Sequence, residues 1–208
     1  MFDITRYATV AQQIVEVGES LYERGWSPAT SSNYSARIDD EHVAITVSGK
    51  HKGELEVRDV MVVDLEGNPV QCTTTPSAET PLHTAIYELD PEVGAVLHTH
   101  SVASTALSRL LGEEESVQIA DYELQKAFPG RETHASEMVL PIFENTQDMP
   151  ALAERTRRDL SENPQRAGYL IRGHGLYTWG RSMTECRRHV EALESLLSCE
   201  LKLRRSNR

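Results

Sequence analysis

Cysteine is scarce in this chain. Cys72, Cys186 and Cys199 are spread over 208 residues, an odd number at spacings that suit neither a disulfide framework nor a CxxC zinc clasp. Long apolar runs are missing too: none approaches the roughly 20 residues that cross a bilayer. The start, Met1-Phe2-Asp3-Ile4-Thr5-Arg6, lacks the charged-then-apolar layout of a signal peptide. Positive charge is in deficit, with 21 Lys and Arg against 32 Asp and Glu and a formal net charge of −11. A nucleic acid or an anionic membrane would be repelled by that overall field. A small anion is not excluded, because a local pocket can oppose the global sum. No internal repeat, low-complexity segment or GxGxxG dinucleotide fingerprint is found. These absences point to a soluble cytoplasmic protein with no nucleic-acid and no membrane partner. A hydrophobic content of 39% suffices for a core within one domain spanning residues 1–208.

What the chain does have is histidine, eight residues of it, so a bound metal is expected on imidazole rather than thiolate. The periodicity predicts a helix over residues 5–24, with Gly25 as its stop. Strands are expected at 33–38, 42–47 and 60–65, followed by a helix at 80–89 that has Pro81 near its start. Further strands are expected at 94–98, 138–143, 169–172 and 176–179, and further helices at 101–111, 150–160 and 183–203. Residues 112–138 give no clear pattern. The elements interleave without strict βα alternation. The expected fold class is therefore α/β, with a mixed, largely antiparallel sheet covered by helices on both faces.

His98-Thr99-His100 is the strongest local feature. Residues i and i+2 of a strand share a face about 6.5–7 Å apart, so both imidazoles can reach one ion at about 2.0–2.1 Å. The pair ends an apolar strand ahead of a helix, where sites in α/β folds collect. His174, between Gly173 and Gly175, is the third candidate. Three neutral imidazoles would leave a coordination position open for a substrate oxygen. His42, His51, His134 and His189 read as surface residues, and His83 as ambiguous. Three hydroxyl-rich loops carry Thr30-Ser31-Ser32-Asn33, Ser48-Gly49-Lys50 and Ser77. Each is an ordinary turn or cap alone, but together they could cradle one phosphate. Two carboxylates are placed suggestively: Glu79 at a helix start, and Glu123 some two dozen residues after the histidine pair.

The motifs Thr30 to Arg37, Ser48-Gly49, Pro76-Ser77-Ala78-Glu79, His98-Thr99-His100 and Gly173-His174-Gly175 occur in the order of the class II aldolase/adducin family, which the chain resembles from its first helix to its last. The resemblance implies a divalent metal, usually zinc, on His98, His100 and His174. It implies a phosphate cradle at Thr30 to Asn33, Ser48-Gly49 and Ser77; from the residues themselves, Lys50 is expected as an added cation beside it. The phrases Ser27 to Ser35, Phe128-Pro129-Gly130 and Pro141 to Asp148 favour the dehydratase branch. There the substrate would be 5-methylthioribulose 1-phosphate and the product a 2,3-diketo phosphate plus water, formed through a metal-stabilised enediolate in methionine salvage. Glu123 is then the first expectation for the acid/base and Glu79 the second. A sugar-phosphate aldolase, a 4-epimerase or a non-catalytic adducin-like binding module are the alternatives the same motifs allow. Family members commonly assemble as tetramers, so a homo-oligomer with its site near a subunit boundary is expected.

Overall fold

A computed structural model describes residues 2–71 and 74–206; Met1 and Cys72, on which parts of the N-terminal and cysteine readings rest, lie outside the described residues. The first helix, α1 (Ile4–Glu23), begins at Asp3, whose carboxylate accepts from the Arg6 N–H at 2.9 Å. It buries Val10, Ile14, Val17 and Leu21 along one stripe and ends where Gly25 takes a φ of +74°. Strands β1 (Asn33–Arg37), β2 (His42–Thr46) and β3 (Val60–Asp64) follow as an antiparallel meander. Helix α2 (Thr80–Leu89) leads to β4 (Ala95–Thr99), and α3 (Val102–Leu110) is capped by Ser101. Beyond these come β5 (Ser116–Ile119), β6 (Met138–Phe143), α4 (Met149–Glu162), β7 (Gly168–Ile171), β8 (Gly175–Gly180) and α5 (Met183–Ser206).

The eight strands form one sheet in the order β3-β2-β1-β4-β8-β7-β6-β5. Among the described residues only β6 and β7 pair in parallel, so the sheet is mixed and largely antiparallel, as the sequence pattern led us to expect. Alternation along β4 sends Val96 to one face and Ala95 and Leu97 to the other. On the first face Leu82 and Ile86 of α2 and Leu152 and Leu160 of α4 pack on Val43, Ile45 and Val96. The second face is covered by α1 together with the start of α5, and beyond them by α3 with the rest of α5. The result is a helix–sheet–helix sandwich with two apolar layers.

The unassigned stretch 112–138 holds β5 and a single 3₁₀ segment, Glu123–Ala127. Each is too short to display a period. Two of the surface histidine expectations are corrected. His42 is buried beside Asp39, Nδ1 to Oδ1 2.7 Å, because the hairpin turn folds back over it. His189 is buried because α5 lies flat on the sheet, and its Nδ1–H donates to the Trp179 carbonyl at 2.7 Å. Among the described residues no helix is long and apolar enough to cross a membrane.

Candidate metal centre

The alternation that buries Val96 also puts His98 and His100 on the α2 side of the sheet, at the carboxyl end of β4. His98 is fully buried between its strand neighbours, opposite Asn33 on β1 and Tyr177 on β8, and its ring stacks on Tyr177 at 4.0 Å. Its Nδ1 lies 2.9 Å from the Leu176 carbonyl. A carbonyl can only accept, so the proton is on Nδ1 and the Nε2 lone pair points into the site. That Nε2 faces His100 Nε2 at 2.7 Å.

His174 arrives from the turn between β7 and β8. Gly173 adopts a φ of +65°, and the His174 N–H donates to the Ile171 carbonyl at 3.0 Å. Gly175 has no room for a side chain: a Cβ there would lie 2.0 Å from the Thr99 carbonyl oxygen. The turn is pinned to α3 by Thr105, whose hydroxyl donates to the His174 carbonyl at 3.0 Å. The three rings meet with centroids 4.5–5.0 Å apart.

Glu79 completes the group from the residue just ahead of α2. Its Oε1 lies 3.0 Å from His174 Nε2 and its Oε2 3.6 Å from His98 Nε2, while the Asn33 side-chain amide donates to Oε2. The donor atoms of Glu79, His98, His100 and His174 all lie within 4.8 Å of one another. Four ligands at about 2.0–2.1 Å from one ion would stand about 3.3 Å apart, so modest side-chain adjustment seats an ion among them. Burial lowers the His98 and His100 imidazoles to about 4 and about 3, against the pull of Glu79. Burial works the other way on Glu79, but His98, His174 and Asn33 outweigh it and hold the carboxyl well below its ordinary range. Neutral rings beside an ionised carboxylate are the protonation state a divalent cation binds.

A cavity of about 180 Å³ opens on this cluster, lined by Thr30, Ser31, Ser32, Asn33, Ser48, Gly49 and Ser77 together with Glu79, His100 and His174. The three hydroxyl-rich loops therefore do converge. Ala29 and Ser32 both hold positive φ, 55° and 72°, around Thr30 and Ser31, a strain that persists where the surrounding structure dictates the loop's shape. Lys50 is not among the lining residues; its Nζ pairs with Asp59 Oδ1 at 2.8 Å. Lys52 lines the cavity instead. It is 1% exposed, donates to the Lys50 and Thr30 carbonyls at 2.6 and 3.3 Å, and burial lowers it to about 8 despite the nearby Glu79. Sequence reasoning missed it. The available signal was Gly18 in mid-helix, an unfavourable choice that lets α1 approach the segment: a Cβ there would meet the Lys52 carbonyl at 2.7 Å.

Glu123 is not brought to this cluster within one chain. Its 3₁₀ segment joins β5 to β6 at the far edge of the sheet, three or more strands from β4. There its side chain is two-thirds exposed and pairs with Lys126 at 2.6 Å and His134 at 3.4 Å.

Comparison with known proteins places this geometry. The sequence profile of the family described as Class II Aldolase and Adducin N-terminal domain matches residues 12–201. The chain belongs to the class II aldolase and adducin family. Within this family it is 64% identical to a protein of Marinobacter nauticus named methylthioribulose-1-phosphate dehydratase, over the full length of both chains. A protein of Hahella chejuensis with the same name is 59% identical over 99% of each chain. Among solved structures, the L-fuculose-1-phosphate aldolase of Thermus thermophilus superposes with a TM-score of 0.74 at 24% identity, covering 97% of this chain and 98% of that one. At that identity the likeness speaks for the shared class II aldolase fold.

Proposed function

We propose that this chain is a metal-dependent hydro-lyase of methionine salvage. It would convert 5-methylthioribulose 1-phosphate into 5-methylthio-2,3-dioxopentyl phosphate and water, with zinc held by His98, His100 and His174 beside the Glu79 carboxylate. The observation that carries the reading is the 64% full-length identity to a relative bearing that name. The convergence of four metal-competent side chains on a hydroxyl-lined cavity supports it independently.

The ion would supply Lewis acidity toward the ketose oxygens when bound. The chain's own part is as follows. Thr30 to Asn33, Ser48, Gly49 and Ser77 receive the phosphate, and Lys52 balances its charge beneath the loops. Phosphate held there places the ketose backbone over the histidines, with Glu79 Oε1 beside it. The overall change removes the proton on C3 and the hydroxyl on C4, and the resulting enol becomes the diketone. General acid–base assistance to such a step is typically worth about 10²–10⁴-fold. Glu79 is positioned to take the C3 proton. Glu123, exposed and remote from its own cluster, would serve the leaving hydroxyl from a neighbouring copy in a homo-oligomer, a tetramer by family resemblance.

The aldolase reading draws on one observation, the placement of Glu79 directly on the cluster. Product analysis separates the two: dehydration yields an ultraviolet-absorbing diketone, whereas aldol cleavage yields two- or three-carbon fragments. The experiment is to strip metal with chelator and assay dehydration of the sugar phosphate before and after zinc is restored. Full activity in the stripped protein would overturn the proposal, and so would carbon fragments as the product.

A further inference from the structure

A line of buried polar side chains runs from Glu79 away from the cavity and into the core beneath α2. Asn33 touches Glu79 Oε2 with its amide nitrogen and His83 Nε2 with its amide oxygen. His83 Nδ1 lies 2.7 Å from Ser35 Oγ, and Ser35 Oγ lies 2.9 Å from the Tyr87 hydroxyl. Asn33 is 4% exposed, Ser35 and His83 are sealed, and Tyr87 is 1% exposed. No water is needed to complete the line, and nothing in the phosphate cavity explains why a histidine should sit there.

The protons in this line can be placed without ambiguity. The Asn33 amide presents its NH₂ to Glu79 Oε2 and its carbonyl oxygen to His83 Nε2, and a carbonyl oxygen only accepts. His83 therefore carries its proton on Nε2. Burial lowers His83 to about 4, so the ring is neutral and its Nδ1 bare. Ser35 must donate to that Nδ1. Its single proton being spent, it can only accept from Tyr87.

We propose that His83 is a positioning residue for Glu79, acting through Asn33. An unsupported Asn amide can turn about its last torsion and bring its oxygen against the carboxylate. With His83 donating to that oxygen, the turned amide would set its NH₂ against the His83 Nε2–H and lose both contacts. The lock holds one oxygen of Glu79 and turns the other toward the cluster. Oε2 accepts from Asn33, whereas Oε1 faces the cluster 3.0 Å from His174 Nε2. Oε1 is thus the atom offered to the chemistry. The inference rests on the function proposed above insofar as it gives Glu79 work to do; the proton order does not depend on it.

Two measurements test it. In metal-loaded protein labelled with ¹⁵N-histidine, His83 should show a protonated Nε2 and a bare Nδ1 at pH 7. The opposite tautomer or an imidazolium would overturn the proposal whatever the activity turns out to be. In kinetics, His83→Phe fills the space without a donor and is expected to lower kcat roughly 100-fold while KM for the sugar phosphate stays within about 2-fold. His83→Gln, which can donate to Asn33 and accept from Ser35, should recover most of the loss. An unchanged kcat in His83→Phe, or a rise in KM that accounts for the whole effect, would refute the positioning role. Should His83→Phe not fold, Tyr87→Phe removes only the last donor, and its His83 should keep the same tautomer. A wild-type protein inactive on the sugar phosphate but showing the stated tautomer would defeat the functional reading and leave the proton order standing.

Discussion

Replacing Glu194 by Gln should remove a pH dependence built into the second apolar layer. Glu194 sits on α5 at 1% exposure, directly behind the histidine strand. Thr99 donates to its Oε1 at 2.6 Å, and Ser101, the cap of α3, donates to its Oε2. Burial raises the carboxyl from 4.5 to about 7 even though both hydroxyls favour the ionised form. Between those values the folded chain keeps a proton that the unfolded chain releases, so stability falls as pH rises through this window. One pKa unit is about 1.4 kcal/mol, so the group favours the unfolded chain by about 3 kcal/mol well above pH 7. Most of that difference, about 2–3 kcal/mol, develops between pH 5 and 8. Gln keeps the shape and remains neutral. Urea unfolding of both proteins at pH 5, 6, 7 and 8, at one protein concentration because an oligomer's stability depends on it, should show the variant gaining on wild type by that amount across the series. Two parallel stability curves, offset by a constant, would refute the assignment of the proton to Glu194.

Three further outcomes follow from the same geometry. Lys52→Met should weaken inorganic phosphate as a competitive inhibitor roughly 10- to 100-fold, the loss of one charge-assisted hydrogen bond. In wild type that affinity should fall as pH rises through about 8 and Lys52 loses its charge, and a variant with the same pH profile would place the cation elsewhere. Gly175→Ala forces a methyl to within 2.0 Å of the Thr99 carbonyl and 3.0 Å of His98 Cε1. It should lower stability by several kcal/mol, on the order of the larger overpacking costs, and reduce the bound-metal stoichiometry measured by atomic absorption; full metal content with an unmoved urea midpoint would contradict the packing. Glu123→Gln should retain metal and lose turnover at least about 100-fold, and mixing it with Glu79→Gln chains under subunit exchange should restore activity in hybrid oligomers. Inactive hybrids would show that the two carboxylates do not complement across a boundary.

Much of this site was legible from local pattern. Two imidazoles two residues apart on an apolar strand must share a face, and glycines on both sides of His174 announce a tight approach. The three hydroxyl loops could be grouped because each ends or begins an element. What was not legible were groups whose meaning depends on what surrounds them. Lys50 and Lys52 look alike in sequence, yet one pairs with Asp59 at the surface and the other is sealed under α1. His189 read as a surface residue and His83 as ambiguous, and both are buried because α5 and α2 lie against the sheet; Glu194, buried on α5, gave no local signal.

Glu123 marks the boundary between the two kinds of information most sharply. The sequence by itself pointed to the fold class, to the three histidines that cluster and to the hydroxyl-rich loops that line one cavity, because strand alternation, capping and close backbone approach are local consequences of residue type. Only the tertiary structure decided that Glu79, not Glu123, shares a chain's own cluster, that Lys52 lines the cavity, and that Asn33 and His83 stand behind the carboxylate. Those are distances between elements remote in sequence, set by the strand order β1-β4-β8 and by the packing of α2 above it.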